Sequence, residues 1–441
     1  MRESQRSARV LSHPMSVSDL ADPRLSPPGA SHPRAPYDDA QQAIEAATAA
    51  EADRSDARAR HWLEAALAAA DGGLLAKTLD RAPSPEIARH LNRLLADIER
   101  VAPTTAGDLR TTLFAIPIVL VVARDAGATG ATHDATAMAL DAAAMALDAT
   151  AMALDATAVT HDATGPARDA DTDGGTLDAI VRDASALGVI LRDARAFAGC
   201  ETFALSPSLV ATDAIDVRAL PALLARRALA PPGGDFAFAA LDLPPAPIRV
   251  EAGFERAHLR FIVGAILTPP HADPLAVSTI GRWGMPFARA LGKTLAVPGV
   301  SLLALPRPAQ GLVSAVQSGR AAQREVSAQL FASNAIRALR ASFGEPTAIV
   351  SAHRAPDAPG GGELRLSLSS PFAPKAAQGF RCPLYPYETV LEVGAMLASL
   401  LRDCRVSDVR FMPGVHDDVD PTTRGPLFFK DHGGASHSSL H

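Results

Sequence analysis

The segment GVHDDVDPTTRGPLFFKDH, residues 414–432, places His416, Asp417, Asp418 and Asp420 almost side by side, with His432 a little behind. Imidazole and carboxylate donors on a loop after a strand are what a divalent cation needs. Hard oxygens favour Mg or Mn, and added imidazole extends the range to Zn or Fe. Loops carried on a rigid scaffold are also where sites concentrate. The competing role is plain: segments rich in Asp and Pro make turns, bond their own backbone and stay in water. His271 and Asp273 in TPPHADP, and His353 in SAHRAPD, are further donors if the fold brings them to the same place. Were this segment a site, its cofactor would be a divalent metal with His416, Asp417, Asp418 and Asp420 as the ligands; the residues themselves leave the cofactor open.

A second concentration lies in GFRCPLYPYE, residues 379–388, which holds Cys382, Tyr385 and Tyr387, two of the chain's 3 tyrosines. Tyrosine joins a large apolar ring to a hydrogen-bonding tip, a useful combination for recognition, and the prolines stiffen the segment. It is expected to be a binding loop. The alternative is that the rings anchor the loop and staple the helix that starts near Tyr387. For Cys382 to act as a nucleophile it would need a neighbouring base and a lowered pKa.

Other motifs fail on their own chemistry. GMPFARALGKT, residues 284–294, ends like a phosphate loop, but Phe287 stands where the wrapping glycine belongs. Its Gly292 reads as a helix-end glycine. APGGGEL, around Gly360–Gly362, sits between two strand patterns and reads as a hairpin turn. No G-x-S-x-G elbow, H-E-x-x-H pair or dinucleotide-binding glycine fingerprint occurs.

Elements must hold these residues in place, and the hydrophobic pattern outlines them. Ser84 and Pro85 open a helix whose Ile87, Leu91, Leu94, Ile98 and Val101 share a face. The apolar run Leu113–Ala123 reads as a buried strand, with Pro117 implying an edge or a bulge. A helix is expected from Leu177 to Ala198, then a strand in ETFALSPSLVA and a short helix around PALLARRAL. IRVEAGFERAHLRFIVGAIL reads as a hairpin turning near Gly253–Arg256. A helix is expected at Pro286–Leu295, a strand at Val300–Leu305, and a helix over 321–343 stopped by Gly344 and Pro346. TAIVSAHRAPDAPGGGELRLSLSS reads as a second hairpin, with Leu364, Leu366 and Leu368 on one face. The helix Tyr387–Cys404 and a strand in VSDVRFM complete the pattern. Strands, hairpins and helices are mixed throughout, which defines an α+β fold: an N-terminal helical unit followed by two mixed-sheet α/β units with β-hairpins. The expected boundaries are a disordered tail at 1–36, the helical unit at 37–101, a first unit at 102–245, a second at 246–430 and a flexible tail at 431–441. The Pro-rich stretch Leu241–Pro247 is the expected joint.

From His133 the units HDATAMA, LDAAAMA, LDATAMA, LDATAVT and HDATGPA repeat every 7 residues within an insertion at 126–175. On a helix this period places each Asp between the Leu and Met positions, so no coiled-coil seam forms. On a strand it throws successive Asp residues to opposite faces. The repeat reads as a passive insertion, and deleting residues 140–160 is expected to leave the melting temperature unchanged.

The 441 residues exceed a single ordinary core. The composition, 48% hydrophobic and 20% charged, suits a soluble globular chain. A net charge of −6 argues against nucleic acid as a partner. The 3 cysteines are far apart with no C-x-x-C pair, which fits a reducing cytoplasm, and no apolar run is long enough for a membrane span. With no strong catalytic motif, the leading expectation is a non-enzymatic binding or regulatory protein that meets an unidentified protein or small molecule. The alternative is a divalent-metal-dependent, hydrolase-like enzyme built on the C-terminal His/Asp cluster.

Overall fold

The computed structural model describes residues 35–101, 105–106, 109–124, 203–206, 208–228, 256–268, 280–295 and 300–416. Short pieces at 176–177, 188–189, 191–192, 243–244 and 248–249 and the single positions 197, 246 and 275 are also described. The heptapeptide insertion and both chain ends, with the tail expectations attached to them, lie outside these residues.

Local capping chemistry starts the N-terminal helices. Helix α1 spans Ala35–Glu45, α2 Ala49–Ala68, α3 Gly72–Asp80 and α4 Pro85–Val101. Thr48 accepts a hydrogen bond from the Glu51 amide, Asp71 from Leu74 and Ser84 from Ile87, so each side chain satisfies a backbone donor the helix leaves open. Ile87, Leu91, Leu94 and Ile98 are buried as the spacing predicts, joining Trp62, Leu63 and Leu75 in one core. Val101 departs from that stripe: at the last position of α4 it is 64% exposed.

The first sheet is organised around β2, Leu109–Arg124. Strand β6, Arg256–Thr268, runs antiparallel to it from Arg110↔Thr268 to Val122↔Arg256. Strand β4, Phe203–Leu205, pairs with the far edge of β6. Strands β1, Thr105–Ala106, and β7, Val300–Pro306, also pair with β2. Alternate residues of β2 enter different cores. Leu113, Ala115 and Val119 join the core of the helical unit, while Phe114, Ile116, Ile118 and Leu120 join a second core. Both faces are buried, so the run reads as continuously apolar. Pro117 sits at a register shift: Ala115 bridges Gln310 and Ile118 pairs with Pro306, leaving residues 307–309 opposite 116 and 117. This irregularity accommodates the missing N–H, while the Pro117 carbonyl accepts from the Arg307 amide.

β2 precedes Leu241–Pro247 and β6 follows it, and the two pair within this one sheet. Three expected elements differ. Strand β5, Ile248–Arg249, pairs with β3, Thr176–Leu177, rather than folding onto β6 as a hairpin. That pairing also gives Leu177 to a strand, at the expected start of a helix. After α5, Leu220–Ala228, helix α6 spans Ile280–Thr294 and keeps Pro286 in its interior. Trp283, Phe287 and Leu291, four residues apart, are all buried against the sheet, and this anchored stripe offsets the bond Pro286 cannot make.

Helix α7, Leu312–Phe343, is 32 residues long and serves two cores. Its residues from Leu312 to Leu330 pack with the helical unit and β2, and those from Ala328 to Leu339 pack on the C-terminal sheet. Glu99 of α4, 3% exposed, receives the Leu312 and Val313 amides at 2.5 and 3.0 Å. A carboxylate at the positive end of the helix fixes where α7 begins. At the other end Gly344 adopts φ +82°, a conformation that suits glycine.

Strands β8, Thr347–Arg354, and β9, Gly362–Ser370, form the expected hairpin. Strand β10, Ala373–Pro383, adds to β9, and β11, Asp408–His416, lies parallel to β8, for the order β10-β9-β8-β11. Helix α8, Val390–Asp403, covers one face and begins with a capping box in which Thr389 and Glu392 exchange side-chain and backbone bonds. Leu364, Leu366 and Leu368 are fully buried beneath α7 and α8. The architecture is α+β with an N-terminal helical region. No helix among the described residues is long and apolar enough to cross a membrane.

Candidate functional site

The expected binding loop is divided by the fold. Residues 379–383 belong to β10, where Cys382 pairs with Leu364 and is fully buried. Burial pushes its thiol pKa up to about 12, which favours the neutral thiol over the nucleophilic thiolate. Cys382 is packed in the core of the C-terminal sheet, and its alternation with Phe380 along β10 is the sequence signal of that strand.

Tyr385 and Tyr387 follow β10 and precede α8. Their rings are nearly parallel, 7° apart, with centroids separated by 5.7 Å. Both are half-buried. Arg320 of α7 lays its guanidinium 4.7 Å from the centre of the Tyr385 ring, a cation–π arrangement. Burial raises the pKa of both tyrosine hydroxyls and the Arg320 charge opposes it. The loop is tied to α7 by a two-pronged ion pair, Arg324 Nη1 to Glu388 Oε2 at 2.5 Å and Nη2 to Oε1 at 2.6 Å. The Tyr385 amide also donates to Glu388 Oε2, at 3.0 Å. Bidentate geometry fixes the orientation as well as the distance, so the rings are presented on a rigid support. Arg320 and Arg324 stand one turn apart on α7, the i, i+4 signal by which the sequence marks a shared face.

This cluster lies where the helical unit meets the C-terminal sheet. Asp80, the last residue of α3, has its pKa raised by burial, opposed by Arg218 and Arg320. Arg89 of α4 reaches Glu392 of α8 at 2.8 Å. The arrangement provides a stiff aromatic pair and one guanidinium, with the Tyr387 hydroxyl itself buried. It holds no general base placed against a nucleophile.

The opposite face of the C-terminal sheet carries the other polar group. Ser351 Oγ and His353 Nε2 are 2.9 Å apart, and both residues are buried. Glu363, 2% exposed, pairs with Arg365 at 2.6 Å and Arg381 at 2.7 Å. The register sets His353 between Glu363 on β9 and His416 on β11. His416 is therefore brought to the position beside His353 that the sequence left open; only its backbone is described. Asp417, Asp418 and Asp420, with His271, Asp273 and His432, lie outside the described residues. Among the described residues no three His, Cys, Asp or Glu side chains converge as a metal site.

No protein-family model, curated protein or solved structure matches the chain.

Proposed function

We propose that this is a binding or regulatory protein without catalytic activity, and that Tyr385, Tyr387 and Arg320 form its contact surface. One observation carries the reading: two half-buried, parallel tyrosine rings, Tyr385 covered by the Arg320 guanidinium, are locked by the Arg324–Glu388 pair where the helical unit meets the C-terminal sheet. Tyr and Arg are favoured where a few residues supply most of an interface's energy, and rigid groups lose little entropy on binding. The partner is a protein or small molecule that presents an acceptor to Arg320 and a flat or apolar group to the rings.

A photo-cross-linking residue at position 385, in the protein expressed in its own cell, tests this. The expected result is a discrete cross-linked partner that is lost when Arg320→Ala is added and is absent when the probe sits at the exposed tip position Phe372. Equal labelling from both positions would sink the reading.

The adjacency of His353 and His416 in the sheet favours a second reading, a divalent-metal-dependent enzyme of hydrolase type using His416, Asp417, Asp418 and Asp420. It predicts that one of Mg, Mn, Zn or Ca raises the melting temperature and that His416→Ala abolishes the rise. A ligand at a hundred times its dissociation constant adds roughly 2.7 kcal/mol, well within what a thermal shift detects. No shift with any of the four ions would remove this alternative.

A further inference from the structure

The hairpin between β9 and β10 turns on Pro371 and Phe372, since Ala373 pairs with Ser370. Proline presets the backbone angle such a turn needs, but the position after it favours Gly, Asn, Asp or Ser. Phe372 fills it instead and is 86% exposed, the most open of the large apolar side chains among the described residues. Phe343, the last residue of α7, is 40% exposed. The two are mounted together. Ser370, fully buried, donates its hydroxyl to the Phe343 carbonyl at 2.7 Å and accepts the Phe372 amide at 3.2 Å. Arginine surrounds this end of the sheet. Arg337 and Arg340 lie in the last turns of α7, Arg402 and Arg405 at and just past the end of α8, and all four are exposed. The Arg340 guanidinium donates to the Arg405 carbonyl at 3.0 Å, which joins the two helix ends. Against them stand Glu345, paired with Arg340, and Asp403, while Asp408 and Arg410 neutralise each other. The described charges here are therefore positive in sum, on a chain whose net charge is −6.

We infer that this end of the C-terminal sheet docks on an anionic lipid bilayer, with the Phe372 ring entering the interface and the arginines meeting the headgroups. Shape favours this occupant. A ring projecting from a two-residue turn is convex. A protein partner would need a cavity cut to receive it, whereas the interfacial zone of a bilayer admits apolar side chains without one. Charge agrees, because arginine matches phosphate oxygens and each basic side chain near an anionic leaflet adds attraction. The Ser370 bonds and the Arg340–Arg405 bond hold the tip and the helix ends in fixed relation, so little freedom is lost on docking. This surface is separate from the Tyr385–Tyr387 pair. Strand β10 starts beside one and ends beside the other, roughly 30 Å away along the strand. A cross-linking probe at 372 would accordingly label lipid and no protein.

The full-length protein is floated with vesicles of equal parts phosphatidylglycerol and phosphatidylcholine, and with phosphatidylcholine vesicles alone. The expected result is binding to the anionic vesicles that is lost on phosphatidylcholine and weakened by added salt. Phe372→Ser, with its melting temperature unchanged, should bind about tenfold more weakly, the scale of burying one aromatic ring. Arg337→Gln combined with Arg402→Gln should weaken binding by a similar factor. The 2 native tryptophans are buried, so Phe372→Trp adds the only exposed indole. Its fluorescence should be quenched when the anionic vesicles carry acyl chains that are brominated. No binding to anionic vesicles, or binding that Phe372→Ser leaves intact, overturns the inference. Self-association without lipid that Phe372→Ser abolishes would likewise overturn it and assign the patch to a second copy of the chain.

Discussion

At the residue scale, two buried charges define how the candidate contact surface is held. Arg324 and Glu388 are 11% and 10% exposed, so neither can exchange its partner for water without moving. Glu388→Gln leaves the guanidinium buried against a neutral amide and is expected to destabilise the fold by about 3 kcal/mol. Replacing both, Arg324→Met with Glu388→Leu, should recover most of that, because the penalty lies in the orphaned charge and not in the lost attraction. Urea midpoints of the two variants test this; equal destabilisation would show that the pair itself is strongly favourable. His258 gives the molecule a pH dependence of known sign. Burial, with Arg260 and Arg256 adding to it, lowers its pKa from 6.5 to about 4. Above pH 6.5 the ring is neutral whether folded or unfolded, and it contributes nothing. Between pH 6.5 and 4 the unfolded chain takes up the proton first, so stability falls as the pH drops. Below pH 4 the loss is complete, at most about 3 kcal/mol. His258→Gln should flatten this part of the stability profile, and an unchanged slope in the variant would assign the acid sensitivity to other groups.

At the element scale, close contacts set what each helix tolerates. Gly394 lies on the buried side of α8, and a Cβ there would stand 2.5 Å from Cε2 of the Phe411 ring on β11. Gly394→Ala gains up to about 1 kcal/mol of helix propensity. It is nevertheless expected to cost about 2 kcal/mol net, because the ring must move within a packed core. A lowered melting temperature, restored in part by Phe411→Leu, is the expected outcome; a rise would mean that β11 yields easily. The elements also show what the sequence could and could not convey. The start of α4, the β8–β9 hairpin and the Gly344 stop were legible because each rests on chemistry within a few neighbouring residues. Strand β10 was not. Its alternation, Gln378, Phe380 and Cys382 against Gly379 and Arg381, is short and ends at Pro383, so the same residues also read as a stiff loop. The entry of α6 was hidden because Pro286 carries the signature of a first helical position, while the buried stripe that tolerates it is a tertiary property. Of the candidate site, the two tyrosines were visible from their scarcity. Arg320, Arg324 and Glu388 were not, because the ion pair spans 64 positions and only the fold closes it.

At the scale of the whole molecule, α7 decides whether the parts behave separately. Its first half is buried with the helical unit and β2 and its second half with the C-terminal sheet, and its N-terminus is held by Glu99. A helix shared by two cores cannot melt over one without losing contacts in the other, since its hydrogen bonds run unbroken through the junction. The polar contacts across the same junction, Arg89 with Glu392 and Arg320 over Tyr385, add geometry more than energy, being partly exposed. Cooperative unfolding of the helical unit and the C-terminal sheet is therefore expected even though their strands and helices are far apart in sequence. Leu366→Ala removes a fully buried side chain from β9 and should lower stability by about 3 kcal/mol. Trp62 lies in the helical core, remote from that strand in sequence, and in the Trp283→Phe background it alone reports fluorescence. The midpoint reported by Trp62 should fall together with the far-UV circular dichroism midpoint. If Trp62 keeps its original transition while the dichroism splits in two, α7 fractures at the junction, and a surface built from Arg320 on the helix and Tyr385 on the loop would be free to open and close with it.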